Sequence, residues 1–580
     1  MPIAYLKNYS RTDDPRQGAK WSAVQLGLYV QDEWSANDRL RLTLGLRADL
    51  PMMLGTVSRN RLFEEKFGIR NDLTTTPKVL WSPRVGFNWD AKGNGKTQVR
   101  GGIGIFAGRP PFVWLSNQYS NSGVDFGQVN IQDQAQLNAI FAGLTLAQRD
   151  AILTNPNYLP PGAGAQSGTS VVNLTNPDLR LPQVFRTSLG IDQKLPFWGI
   201  VGTAEFIYTR TINDMYFRNI NLAGQQGILN NEGRPLFGTF GQGPRLLDPV
   251  NFTGVYVLEN VQGGVQYSAT AQLRKNAQNF FGNIAYTYSI ARDALSATNS
   301  VSSSNFNNII VGANSPNTPV IAENSFNVRH RAIASFGYTY NWNEYGSSQI
   351  AMFYNGQIGN NYSFIVQAAS GGINDINLDG IPNNDLIYIP RNASEIQFQT
   401  YSKDVDVSSF GFTDANGNLI TRASYTLTPE FQWEGFNRFI EGEKSLKNRR
   451  GQFAERNGAV APWNHRFDLR FTHTINAPSK KAKHQVQITW DIINIGNLLN
   501  RKWGVIQFGR SNPIQAVQYD QVTGNIVYRF NSDVKVISAS QDPVTRAVKI
   551  DKAEAGFNKY LNSNNTRSVW QAQFGLRYSF

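Results

Sequence analysis

The feature that most constrains this chain is an alternation of apolar and polar residues that returns in segment after segment. Between residues 39 and 49, Leu40, Leu42, Leu44, Leu46 and Ala48 alternate with Arg41, Thr43, Gly45, Arg47 and Asp49. Val85, Phe87 and Trp89 alternate with Arg84, Gly86 and Asn88, and Phe467, Leu469 and Phe471 with Arg466, Asp468 and Arg470. Val486, Ile488 and Trp490 repeat the pattern against Gln485, Gln487 and Thr489. A period of two is the signature of a strand whose successive side chains point to opposite faces. Here one face is oily and aromatic, while the other carries Arg, Asp, Gln and Gly, as a wall lining water does. The chain ends in the same way, with Trp570, Ala572, Phe574, Leu576, Tyr578 and Phe580 on one side of the final strand. Terminal residues of soluble domains usually fray in water, so an oily strand running to the last carboxylate calls for a special setting.

A chain of 580 residues with mean hydropathy −0.36 has no apolar run near the roughly 18 residues a spanning helix needs. That excludes a helical membrane protein. It leaves open a membrane barrel, in which only alternate strand residues face lipid. The 51 glycines and 12% aromatics suit many short strands. The absence of cysteine rules out disulfides and thiolate metal sites; it fits an oxidising compartment, although cytosolic proteins can also lack cysteine. The net charge of +13 is spread along the chain, with its densest cluster at Lys480, Lys481 and Lys483. This reads as a solvated surface and not as a nucleic-acid site. The first eighteen residues contain no apolar core and no cleavage site of a secretory signal.

Connection lengths separate a membrane barrel from a large soluble β-sandwich or propeller. Short turns at 35–39, 90–96, 195–199, 275–279, 341–346, 476–483 and 521–525 alternate with long stretches, among them 50–81, 107–182, 210–263, 293–327 and 361–462. Compact soluble domains rarely carry so many long structureless loops, whereas outer-membrane barrels pair short periplasmic turns with long extracellular loops. The expected fold is all-β, a transmembrane antiparallel β-barrel of about fifteen strands counted from these breaks. The first strand descends toward the periplasm, and so does the last, which places Phe580 at the periplasmic rim. An odd count beginning with a descending strand implies strands missing in front, because single-chain barrels have even numbers.

Several of these segments resemble the C-terminal part of a TonB-dependent outer-membrane receptor, of the Oar-like branch. The resemblance is carried by GLYVQDEWSANDRLRLTLGLRAD, SPRVGFNWDAKGNGKTQVRGGIGIF, AEFIYTRTINDMYFRNINL, WDIINIGNLLNRKWG and the closing FGLRYSF, in that order. It implies a barrel of about twenty-two strands around a plug, of which this chain supplies the last fifteen or so. Residues 1–20 are then an N-terminal extension or truncated barrel segment and 21–580 the barrel portion, with the signal peptide, plug and TonB box lacking. It further implies the bacterial outer membrane as location, outer-membrane lipid and lipopolysaccharide as surroundings, and energy from the TonB system through the plug. The intact protein would take up or export a large or scarce substrate without catalysis. Phe574, Leu576, Tyr578 and Phe580 match the terminal signal read by the barrel-assembly machinery. The alternatives are a passive porin-like or adhesion barrel, in which the first strand pairs with the last, and a soluble β-rich binding protein.

The sharpest local motif is DINLDGIPNNDL. Asp375, Asn377, Asp379, Asn383 and Asp385, with Gly380 at the sharp turn, approximate a Ca²⁺ loop of hard oxygen ligands. Leu386 stands where an EF-hand has its bidentate acid, so the pattern is closer to thrombospondin-type loops, and the competing reading is an Asx-rich turn without metal. GNGKT at 93–97 reads as a hairpin turn and not a phosphate loop, and RGGIGIF lacks both the third glycine and the helix of a dinucleotide site. His330, His465, His473 and His484 fall at strand ends without metal-ligand spacing. No nucleophile elbow appears. Residues 133–153 form the one expected helix, with Leu137, Ile140, Phe141, Leu144 and Leu146 on its apolar face.

Overall fold

A computed structural model describes residues 5–11, 14, 18–109, 111–131, 133–155, 157–163, 170–477 and 484–580. Lys480, Lys481 and Lys483 lie outside them. Thirteen long antiparallel strands pair in chain order: β1 (Ser22–Asn37), β2 (Leu40–Leu54), β3 (Leu80–Asp90), β4 (Thr97–Ala107), β5 (Gln183–Lys194), β6 (Val201–Asn219), β7 (Val265–Asn276), β8 (Phe280–Asp293), β9 (His330–Asn343), β10 (Gly346–Gln357), β11 (Asn464–Asn476), β12 (Gln485–Ile493) and β13 (Gln571–Ser579). Six of the seven expected short turns join neighbours in this sheet. The seventh, at 521–525, joins Ile514–Asp520 to Asn525–Phe530 in a separate four-stranded sheet, which accounts for thirteen strands in place of about fifteen. That hairpin does not alternate: Asn525, Ile526, Val527 and Tyr528 are all buried.

The two faces of the large sheet follow the sequence pattern. Leu28, Val30, Leu46, Leu189, Ile350, Trp490, Phe574 and Leu576 stand exposed on one face, Leu576 at 70%. None of them, nor Leu42 or Val486, belongs to a packed apolar cluster. A surface this oily and continuous requires lipid. Near the short turns it carries Trp34, Trp89 and Trp342, and near the long loops Trp81, Trp463 and Trp570, two aromatic belts at the membrane interfaces. Each histidine ring meets a hydroxyl in these zones: His330 with Tyr286 at 2.6 Å, His465 with Tyr354 at 2.8 Å, His473 with Ser348 at 2.8 Å and His484 with Tyr578 at 2.7 Å.

The opposite face is a ladder of polar pairs. Arg47 binds Asp49 at 2.7 Å, Arg100 reaches both Asp192 and Glu205, Arg470 binds Asp491 at 2.5 Å, and Gln272 donates to Asn283 at 2.5 Å. In β4, a Cβ on Gly101 would come within 2.7 Å of the Ser188 carbonyl, so only glycine lets β5 and the Phe87 ring close in there. The sheet is open: β1 pairs with β2 alone and β13 with β12 alone among the described residues. A free edge at membrane depth leaves backbone groups without partners.

The long connections are not structureless, contrary to the expectation from sequence. They build their own buried cores over one rim, the largest drawing on residues from Leu229 to Ala555. Tyr5–Ser10 lies in this region, paired with Phe126–Ile131 and not with the large sheet. Residues 133–153 form two helices, Gln134–Ala142 and Leu146–Thr154, where one was expected. Gly143 closes the first, and Thr145 starts the second with a capping box to Gln148. Leu137, Ile140 and Leu144 are buried, but the break turns Leu146 outward. A helix not anticipated, Pro429–Gly442, buries Gln432, Gly435, Phe436, Phe439 and Ile440 on one stripe.

Candidate functional site

The candidate site is the assembly of loops over the rim opposite the short turns. Its centre is the helix Pro429–Gly442. Thr428 accepts a hydrogen bond from the Phe431 amide at 3.3 Å, Pro429 occupies the first turn and Glu430 adds a favourable charge there. Gly435 lets the helix approach the hairpin 533–556, since a Cβ would sit 2.4 Å from that of Ala555. Phe436 meets Phe530 with ring centroids 5.7 Å apart. Gln432 is fully buried, donates to the Gln399 carbonyl at 2.8 Å and accepts from the Phe530 amide at 3.0 Å, tying three segments together.

Beside this core stands Arg234, wholly excluded from solvent. Its Nε donates to Glu232 at 2.8 Å, Nη1 to Asp385 at 3.1 Å and Nη2 to the Leu386 carbonyl at 2.7 Å. The guanidinium lies 4.5 Å from the centre of the Phe453 ring. Burial alone would lower its pKa, but the Glu232 and Asp385 charges outweigh that and hold it above the ordinary arginine value. The Tyr528 hydroxyl donates to Glu232, and burial followed by that charge pushes the phenol well up. Three sequence-distant segments thus meet on one guanidinium, and Tyr528 adds a fourth through Glu232.

The acidic loop adjoins it. Asp375 caps the turn, accepting from the Asp379 amide at 3.2 Å and the Gly380 amide at 2.8 Å. Asp379 accepts from Asn377 at 2.9 Å and from Asn384 at 3.0 Å. Asp385 instead turns to Arg234 and the Ile376 amide. Asn383 is exposed with φ of 59°, and its neighbour Asn384 takes the buried place beside Asp379. Burial, and then the charge of Asp385, raises the Asp375 carboxyl to about 7; burial and the charge of Asp375 do the same to Asp379. No group of three or more His, Asp or Glu converges as a metal shell among the described residues.

A cavity of about 560 Å³ opens against this framework, within the range of small-molecule sites. Leu386 and Phe453, both contacts of Arg234, form part of its wall, with Tyr216, Ile309, Val311 and Ile321. Asn384 also donates to the Ile309 carbonyl at 3.2 Å, and Val311 and Asp385 form a bridge, so the acidic loop braces the cavity. The sequence singled out the loop but not Arg234 or Asn384. An arginine next to a turn glycine carries no local sign of burial, and Asn384 differs from Asn383 only in where the turn points it.

The sequence profile described as outer membrane beta barrel domain matches residues 5–511. The chain belongs to that family. This outer-membrane β-barrel domain accordingly resides in the bacterial outer membrane, with its oily strand face toward lipid. No curated protein matches it. Among solved structures it is similar to the ferric enterobactin receptor of Pseudomonas aeruginosa, with 11% identity, TM-score 0.37 and coverage of 84% of this chain and 41% of that one. It is similar also to the outer membrane transporter YddB of Escherichia coli, with 10% identity, TM-score 0.39 and coverage of 87% and 44%. The siderophore receptor PirA of Acinetobacter baumannii matches at 8% identity, TM-score 0.36, 82% and 42%. The barrel chain spans less than half the length of each.

Proposed function

We propose that this chain is the C-terminal portion of the barrel of a TonB-dependent, Oar-like receptor, and that the intact protein moves a large or scarce substrate across the outer membrane. The observation that carries the reading is the packed cap of loops, with its cavity, standing over the end of a charged, water-facing sheet. A ligand can be captured there before passage, which a simple sieve does not need. Energy would reach the barrel from TonB through a plug, and the barrel-assembly machinery would read Phe574, Leu576, Tyr578 and Phe580. The test is conductance of the full reading frame in planar bilayers. Gated or absent conductance is expected; steady ungated pores would replace this reading by the porin-like one.

Ca²⁺ is proposed for the loop 375–386. Two features support it. Asp379 and Asp385 are buried beside Asp375, which closes the turn through the Asp379 and Gly380 amides, and the Asn384 Oδ1 is buried without a partner among the described residues. Adding Ca²⁺ to the full-length protein is expected to slow amide exchange across 372–386 and raise its melting temperature. Ligand at a hundredfold excess over its Kd adds about 2.7 kcal/mol. Unchanged exchange at millimolar Ca²⁺ would remove the proposal.

A further inference from the structure

On the lipid-facing side of the sheet, three residues stand in one cross-strand row just below the loops. Val265 of β7 is paired with Arg210 of β6 on one side and with Arg292 of β8 on the other. The parity of these strands fixes the face. Thr270 and Thr287, hydrogen bonded at 2.9 Å on the water-facing side, are opposite in parity to Val265 and Arg292 along their strands. Phe206, on the same face as Arg210, is exposed toward lipid. Both arginines are exposed, and neither side chain has a hydrogen bond or ion pair among the described residues. The carboxylate opposite Arg292 is Glu323, which is engaged by Arg329 at 2.7 Å, Asn327 at 2.9 Å and Asn361 at 3.3 Å.

The next row toward the membrane is Tyr208, Tyr267 and Ile290. An aromatic row of this kind marks the headgroup level, so the two cations sit at the height of lipid phosphates in the outer leaflet. Two strand spacings separate their backbones by about 10 Å, a span that two arginine side chains can close on a single phosphate from both sides. Open ground adjoins each. Arg210 borders a groove of about 480 Å³ with Phe185 and Gln262, and Arg292 borders the cavity near Val320 and Ile321. Two unpaired arginines flanking one strand at an apolar boundary can converge on the planar, forked recognition of a phosphate.

We propose that Arg210 and Arg292 form a clamp for the phosphate of a phosphorylated outer-leaflet lipid, whose acyl chains lie along the face below Tyr208 and Tyr267. Arg292 also lines the cavity over the rim, but the lipid probes read the clamp separately from any transport. The test uses the full-length protein in detergent, with purified lipid A, the same lipid A after enzymatic dephosphorylation, and inorganic phosphate as probes. Phosphorylated lipid is expected to raise the melting temperature, dephosphorylated lipid and inorganic phosphate not. The double variant Arg210→Gln/Arg292→Gln is expected to weaken the phosphorylated lipid about tenfold, with Arg210→Lys/Arg292→Lys between the two. Folding is controlled by the heat-modifiable band, which should be unchanged because both side chains are exposed. Equal stabilisation by dephosphorylated lipid, by free phosphate, or of the double glutamine variant would overturn the clamp.

Discussion

Arg234 offers the sharpest test of how the loops are held. Its guanidinium neutralises part of two carboxylates, Glu232 and Asp385, that are themselves 6% and 1% exposed. Replacing it by methionine, Arg234→Met, keeps much of the volume and the contact with Phe453. It also changes the buried net charge of the trio from −1 to −2 and strips the Leu386 carbonyl of its donor. Breaking a buried pair in this way costs about 3–5 kcal/mol, because the surviving charges stay desolvated. The cap, not the lipid-facing sheet, should bear that loss. Limited proteolysis of the full-length protein reads it directly: cleavage within 361–462 should accelerate about a hundredfold or more, since cutting of a transiently opened segment follows the opening equilibrium. The heat-modifiable band of the barrel should stay in place. The triple variant Arg234→Met/Glu232→Gln/Asp385→Asn should recover most of the protection, because the trio then carries no buried charge. If Arg234→Met alone leaves the cleavage rate within about threefold of the parent, the guanidinium does not organise the loops and the reasoning fails.

Three further outcomes follow from the geometry. Ile350→Arg, at an exposed position near the middle of β10, should reduce the folded, heat-modifiable fraction, at about 2–4 kcal/mol for a cation near the bilayer midplane; Gln349→Arg, whose parent side chain donates to Thr339 on the water-facing side at 3.0 Å, should be tolerated. Removal of Phe580, whose ring lies 5.8 Å from Tyr578, should slow appearance of the heat-modifiable band in cells, and an unchanged rate would exclude a signalling role for the terminal ring. Burial favours the neutral form of Glu395, but donation from the Arg391 amide at 2.7 Å, its guanidinium at 2.9 Å and the Tyr388 hydroxyl at 3.0 Å holds the carboxyl below its ordinary value of 4.5. A depressed native pKa means that this stabilisation is complete above about pH 4.5 and lost as pH falls through the lower native value. Protection of the Arg391 amide, measured against its intrinsic exchange rate at each pH, should therefore fall in acid, and Glu395→Gln should show the reduced protection already at neutral pH.

The faces of the large sheet were legible in the sequence because side-chain alternation is a local property. Leu40 to Ala48 and Gln571 to Phe580 announce their two environments wherever the strands are placed, and six short turns announce their own connections. The hairpin at 514–530 lies outside the large sheet although its turn looks like the others, and its buried run of Asn525 to Tyr528 lacks the alternation. The helix Pro429–Gly442 carries readable signals, a Thr-Pro-Glu start and an apolar stripe, inside the long connection 361–462. What no local pattern could supply is the environment of Arg234. Its partners Glu232, Asp385, Leu386 and Phe453, with Tyr528 bonded to Glu232, span almost 300 positions, the largest separation being 296 between Glu232 and Tyr528. Asn384 replaced Asn383 beside Asp379 because a single left-handed residue turns the chain there. The sequence determined which sides of the strands face oil and water, since that is set two residues at a time. Only the tertiary structure decided which charges are buried together, since desolvation depends on what the rest of the chain brings alongside.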